Sequence, residues 1–145
     1  MIRITIDTTT LVSGFVRPDP PPGRLIAAWQ QRYFTLVTSE PLLAEVERAL
    51  ARPYFARAIS PQRARRYTDL LRLEAAVTPI NSTVTRVATH PEDDVVLATA
   101  LSGSAHYVVT SDHGLLRLGR YRELVIVSAA QFLGMLPCLI QTDQP

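Results

Sequence analysis

Six carboxylates in this 145-residue chain stand where side chains can do chemistry. Asp7 closes the run IRITID and Asp112 closes HYVVTSD, so each acid follows a segment that reads as a β-strand. Asp93 and Asp94 lie in HPEDD, ahead of the apolar run VVLATAL. Glu45 and Glu47 lie in SEPLLAEVERAL. A single Asp after a strand is also an ordinary turn residue, bonding nearby backbone amides. If the two strands are parallel and central, however, both carboxylates point into one crevice at the carboxyl edge of the sheet. Capping and the helix dipole account in full for one of Asp93 and Asp94. Glu45 and Glu47 each stand about 100° from the centre of the Leu42, Val46 and Leu50 stripe, on opposite flanks, so the helical wheel leaves the choice between them open.

Gathered in one pocket, such acids need a counter-charge. Two carboxylates about 4 Å apart repel by roughly 4 kcal/mol at an effective dielectric of 20, so a cluster must take up protons or a cation. An all-oxygen set suits Mg²⁺ or Mn²⁺. Zinc is disfavoured, because His90, His106 and His113 lack ligand spacing and read as structural or solvated. The lone Cys138 rules out a disulfide framework or a Cys-rich zinc site within one chain. All fifteen basic residues are arginines. Without lysine a P-loop is excluded, and the Gly-rich dinucleotide fingerprint is missing too. The arginine bias is most simply a codon effect, but arginines clustered on one face would suit phosphate. No uncharged apolar run reaches eighteen residues, and Arg3 and Asp7 interrupt the region a signal peptide needs, so the expectation is a cytoplasmic protein without a membrane segment.

The elements that must position these acids follow from periodicity. Ile2–Ile6 alternates as a strand, and Leu11–Val16 begins a helix stopped by the prolines of the loop RPDPPPG. Leu25, Ile26 and Trp29 recur at helical spacing, and FTLVT is a strand. Ser39 is the expected N-cap of a helix starting at about Glu40, which Pro53 ends or bends. Ser60 and Pro61 open a helix with Ala64, Tyr67, Leu70, Leu71 and Val77 on one arc and Arg65 and Arg72 on the other face. A short strand over Val77–Ile80 is the alternative reading of its end. Thr89 or His90 caps the VVLATAL helix. LLRL is a short helical turn, LVIV a strand and AAQFLGML a last helix. With an apolar content of 47% and no repeat or linker, the expectation is a single domain over 1–145, with its core in about 2–136 and a short C-terminal tail. Its class is α/β, a three-layer α/β/α sandwich around a mainly parallel central sheet.

ITIDTTTLVSG, SEPLLAEVERAL, HPEDDVVLATAL and HYVVTSDHGLL, in that order and spacing, resemble the PIN domains, especially the small prokaryotic branch that forms the toxin half of toxin–antitoxin pairs. The resemblance spans Ile2 to about Leu136 and rests on four motifs in register. It implies a metal-dependent ribonuclease. Its first acid falls on Asp7, its helix glutamate on Glu45, its third acid on Asp93, seven residues before Ala100, and its fourth on Asp112. Asp94 is then an assisting neighbour, and Thr110 and Ser111 stand at supporting polar positions. Two departures occur: the family usually reads DTN where this chain has Asp7, Thr8 and Thr9, and often DPDD where it has His90, Pro91, Glu92 and Asp93. Neither removes one of the four acids. The resemblance further implies Mg²⁺ or Mn²⁺ on Asp7, Asp93 and Asp112, with Glu45 as ligand or orienting group. It also implies a single-stranded or looped RNA substrate, an antitoxin partner and a homodimer. Two other readings stand beside it: a catalytically weak PIN-like binding module, to which Thr9 lends weight, and a metal-dependent nuclease or phosphatase acting on DNA or small phosphate esters.

Overall fold

Ile4 and Ile6 alternate with Thr5, and all three are buried, so the first strand, β1 (Arg3–Ile6), has no face toward water. Such burial on both faces marks a central strand of a parallel sheet. In the computed structural model, which describes residues 1–142, β1 is followed by α1 (Thr8–Val16), α2 (Pro21–Gln30), β2 (Thr35–Thr38), α3 (Glu40–Leu50) and α4 (Pro53–Ala56). Then come α5 (Pro61–Glu74), β3 (Ala76–Val77), α6 (Pro91–Ser102), β4 (Tyr107–Val109), α7 (His113–Leu118), β5 (Arg120–Tyr121), β6 (Leu124–Val127) and α8 (Ala129–Thr142). The sheet order is β3-β2-β1-β4-β6-β5, parallel throughout except for β5 on β6. One face, through Ile4, Ile6, Leu36, Val109 and Val127, packs on Leu11, Phe15, Trp29, Val46, Leu71 and Phe132 of α1, α2, α3, α5 and α8. The alternate residues Val108 and Ile126 pack on Val96, Leu97 and Ala100 of α6 and on Leu115 of α7. These are the expected three layers around a mainly parallel sheet.

The chain runs from β1 outward to β2 and β3, then returns through α6 to place β4 on the other side of β1. Ile6 is in register with Val109, and the Asp7 amide donates to the Val109 carbonyl at 3.0 Å. The reversal between β1 and β4 is a topological switch point, where open α/β sheets leave a crevice beyond the strand ends. The helix leaving β1 is held close to its neighbour by Gly14, whose missing Cβ would stand 2.6 Å from the carbonyl oxygen of Pro22.

Several elements differ from the periodicity reading. α2 starts at Pro21, inside the expected loop, because its prolines occupy a first turn where a missing N–H breaks no helix bond. Pro53 does the same for α4, one extra turn that was not anticipated. Val77 does not continue α5. It pairs with Thr38 in β3, and the strand stops short of Ile80 because Pro79 offers no amide to the ladder. Ser39 is the N-cap residue of α3, yet its buried hydroxyl bonds Thr99 Oγ1 at 2.8 Å instead of capping. β5 is a two-residue strand after Gly119, whose φ of 70° turns the chain. α8 continues past Leu136 through Pro137 to Thr142, with Leu139 and Ile140 packed against the core. The proline there forfeits one helix bond, and the packing outweighs it. Residues 143–145 of the expected tail lie outside the described residues.

Candidate active site

Asp7 ends β1 and begins α1. Its Oδ1 accepts the Thr10 amide at 2.9 Å, so the carboxylate serves as the helix N-cap. Its Oδ2 accepts from Thr110 Oγ1 at 2.5 Å and from the Ser111 amide at 3.3 Å. The residue is 4% exposed, and these three donors fix it at the switch point. Asp112 repeats the arrangement beyond β4, with Oδ2 accepting the Leu115 amide at 2.9 Å as the cap of α7. Thr110 links the two acids, because its hydroxyl donates to Asp7 and accepts the Asp112 amide at 3.0 Å. The cap reading and the functional reading are thus compatible: each cap bond uses one carboxylate oxygen.

Asp93 comes from the first turn of α6, beneath the same strand ends. It is 9% exposed, and no hydrogen bond reaches its carboxylate among the described residues. Burial above all, then the charges of Asp112, Asp7 and Glu92, push its pKa up to about 6, with His90 at the helix N-cap opposing. Three of the four acids therefore act on one another electrostatically. Glu45 is not among the charges acting on Asp93 and is ion-paired with Arg48 one turn along α3. Glu47 turns to the opposite flank, where Arg72 of α5 binds it at 2.7 Å. Asp94 faces away from this group: it accepts the Arg86, Val87 and Ala88 amides at 3.0, 3.2 and 2.8 Å and so ties down the segment leading into α6. Thr9 is exposed on the first turn of α1, its hydroxyl without a hydrogen bond among the described residues, and Ser111 contributes its amide while the residue is exposed.

A family model described as a PIN domain matches residues 3–114, which include Asp7, Glu45, Asp93, Asp94 and Asp112. The chain belongs to the PIN-domain family. PIN domains are in general nucleases, hydrolases acting on nucleic acids, and this PIN domain carries acids at the ends of β1 and β4 and at the start of α6. No curated protein matches the chain.

Whether the acids suit a divalent ion can be judged from their chemistry. Every donor is an oxygen, which fits Mg²⁺ or Mn²⁺. Asp93, buried among like charges without a donor, is the group a cation would relieve. Among the described residues no three His, Cys, Asp or Glu side chains are gathered closely enough to hold an ion as they stand. The oxygen set fits such an ion in type. One residue of this region escaped the sequence reading. A Cβ on Gly114 would stand 3.1 Å from Asp112 Oδ2 and 3.3 Å from Thr89 Oγ1. This glycine leaves room for the Asp112 carboxylate, and HG beside an acid carries no periodic signal that would expose the role.

Proposed function

We propose that this PIN domain is a metal-dependent endoribonuclease, the toxin half of a toxin–antitoxin pair, acting in the cytoplasm on single-stranded or looped RNA. The observation that carries the reading is the buried Asp93 carboxylate, undonated and set against the charges of Asp7 and Asp112 at the switch point. Mg²⁺ or Mn²⁺ held by Asp7, Asp93 and Asp112 would lower the pKa of a bound water and offset the charge that develops on the phosphorus oxygens. Thr110, the Ser111 amide and the Thr10 amide hold Asp7 in one orientation, and the Leu115 amide does so for Asp112. Glu45, whose Oε1 is held by Arg48, joins as ligand or orienting group through its other oxygen. A site on a sheet edge needs an accessible phosphodiester, which favours unpaired RNA over duplex. No helix among the described residues is long and apolar enough to cross a membrane. A homodimer and an antitoxin covering the site complete the proposal.

Thermal unfolding of wild type and Asp7→Asn in EDTA, Mg²⁺ or Mn²⁺, followed by cleavage of single-stranded RNA, single-stranded DNA and a chromogenic phosphate ester, tests it. Asn is also a good N-cap, so the variant keeps α1. The expected result is stabilisation by metal in wild type alone, with RNA the preferred substrate. Absence of a metal shift together with absence of cleavage overturns the reading. The tie of Glu45 to Arg48 and the unbonded Thr9 favour one second reading, a PIN-like binding module, which metal binding without cleavage of any substrate would select.

A further inference from the structure

Six of the fifteen arginines, and none of the thirteen acids, fall between residues 48 and 66, although the chain as a whole is only +2. The rest of the protein is therefore net acidic, and its positive charge is concentrated at the far end of α3, on α4 and on the first turns of α5. All six arginines are exposed. Arg48 pairs with Glu45, and Arg63 lies over the Tyr67 ring and donates to its hydroxyl. Arg52, Arg57, Arg65 and Arg66 have no carboxylate partner among the described residues. Surface arginines in a folded protein are usually interspersed with acids, and a cluster of unpaired guanidinium groups is the electrostatic footprint of a polyanion.

Position ties this patch to the candidate site. Glu45 and Arg48 stand at i and i+3 and so share one face of α3. Arg52 follows two residues beyond the last residue of that helix, as the N-cap of α4. Arg52 and Arg57 then bracket the single turn of α4, which carries Tyr54, 76% exposed, edge-on to the Phe55 ring at 4.9 Å and lining a surface cavity with Ser13, Val16 and Arg17 at the end of α1. A tyrosine that exposed has no core role, and between two arginines it has the makeup of a stacking platform on a phosphate-binding track.

We infer that Arg48, Arg52, Tyr54 and Arg57 form the track that takes the backbone of single-stranded RNA and leads it along α3 to the carboxylates. The inference rests on the ribonuclease reading for its substrate class, but it concerns binding, which can be measured without cleavage. Guanidinium groups take phosphates in forked pairs, and Tyr54 stacks on a base with little sequence preference. The ion pair of Arg48 with Glu45 is the near end of the track. A phosphate arriving at Arg48 would compete with Glu45 for the guanidinium and release the glutamate toward the other acids.

The test is fluorescence anisotropy with a labelled 12-nucleotide uridine RNA in EDTA, over a range of salt concentrations. The variants are Arg52→Ala with Arg57→Ala, Tyr54→Ala, Tyr54→Phe, and the charge-matched control Arg24→Ala with Arg117→Ala, two exposed arginines elsewhere. Removing two phosphate contacts should lower the slope of log K against log salt by about 1.4 and weaken binding at least tenfold, with the control within twofold of wild type. Tyr54→Ala should cost about tenfold with an unchanged salt slope, and Tyr54→Phe should bind like wild type. Equal losses in the track and control variants, or no loss in the track variant, overturn the inference. So does a track variant that keeps RNA but loses an acidic polyglutamate peptide, which would make the patch a protein-binding surface. If RNA binds through the track but is never cut with metal present, the nuclease reading fails and the track stands.

Discussion

At the scale of single residues, the chemistry turns on how Asp93 is charged. Its carboxyl titrates near 6 in the folded protein, against an ordinary value of 3.8. The folded state therefore binds this proton more tightly than the unfolded chain does. Its contribution to stability is intact below about pH 4, falls as pH rises through about 6, and leaves a deficit of roughly 1–3 kcal/mol above that. Asp93→Asn removes the group that must be deprotonated. In EDTA at pH 7.5 the variant should be more stable than wild type by roughly that amount, and the difference should vanish at pH 4. Denaturant unfolding of both proteins at the two pH values measures it. Equal stabilities at pH 7.5 would show that burial and the neighbouring acids do not act on Asp93 as described. With Mg²⁺ or Mn²⁺ added, wild type should recover the deficit and the variant should not.

At the scale of elements, the site depends on how α1 leaves β1, since the Thr10 amide at its first turn holds Asp7. Gly14→Ala tests that dependence. Alanine gains about 1 kcal/mol in intrinsic helix preference over glycine. The new methyl, however, would meet Ile26 Cγ1 and the Pro22 carbonyl oxygen, each at 2.6 Å. A backbone carbonyl cannot rotate aside, so overpacking of about 1–3 kcal/mol should prevail. The expectation is a net loss of roughly 1–2 kcal/mol by urea denaturation, and any nuclease activity should fall with it as α1 shifts. A neutral or stabilised variant would mean that α1 and α2 separate freely.

Much of this arrangement was legible because strands buried on both faces and helices with one apolar stripe leave strong periodic signals. β1, α3, α6 and β4 were readable in that way, and with them the places of Asp7, Glu45, Asp93 and Asp112. α4, β5 and the start of α2 were not, because one-turn helices and two-residue strands are shorter than any period, and a proline run reads alike as a loop or a first turn. The wheel also left Glu45 and Glu47 equivalent, and the partners they meet, Arg48 for the first and Arg72 of α5 for the second, depend on packing that the helix pattern does not carry. The roles of Asp94 and Gly114 likewise rest on contacts made only after folding.

At the scale of the whole molecule, two apolar clusters share one sheet, the first under α1, α2, α3, α5 and α8 and the second under α6 and α7. Since adjacent residues of the same strands serve both clusters, as Val108 and Val109 do, neither can be lost while the other persists. Fluorescence of Trp29, the one tryptophan, reports on the first cluster, and far-ultraviolet circular dichroism reports on all the helices. Both should follow a single coincident transition in denaturant, as expected of one domain. Leu97→Ala, in the second cluster, should shift both curves together by about 2–5 kcal/mol. Separate transitions would divide the chain into two units.

The sheet is also bounded on each side by a strand of only two residues, β3 on one edge and β5 on the other. A strand that short exposes too few free amides and carbonyls to recruit a foreign strand, and Pro79 blocks any extension of β3. At high concentration the folded protein should therefore resist edge-to-edge fibril growth, and any assembly it enters should use surfaces other than its strand edges.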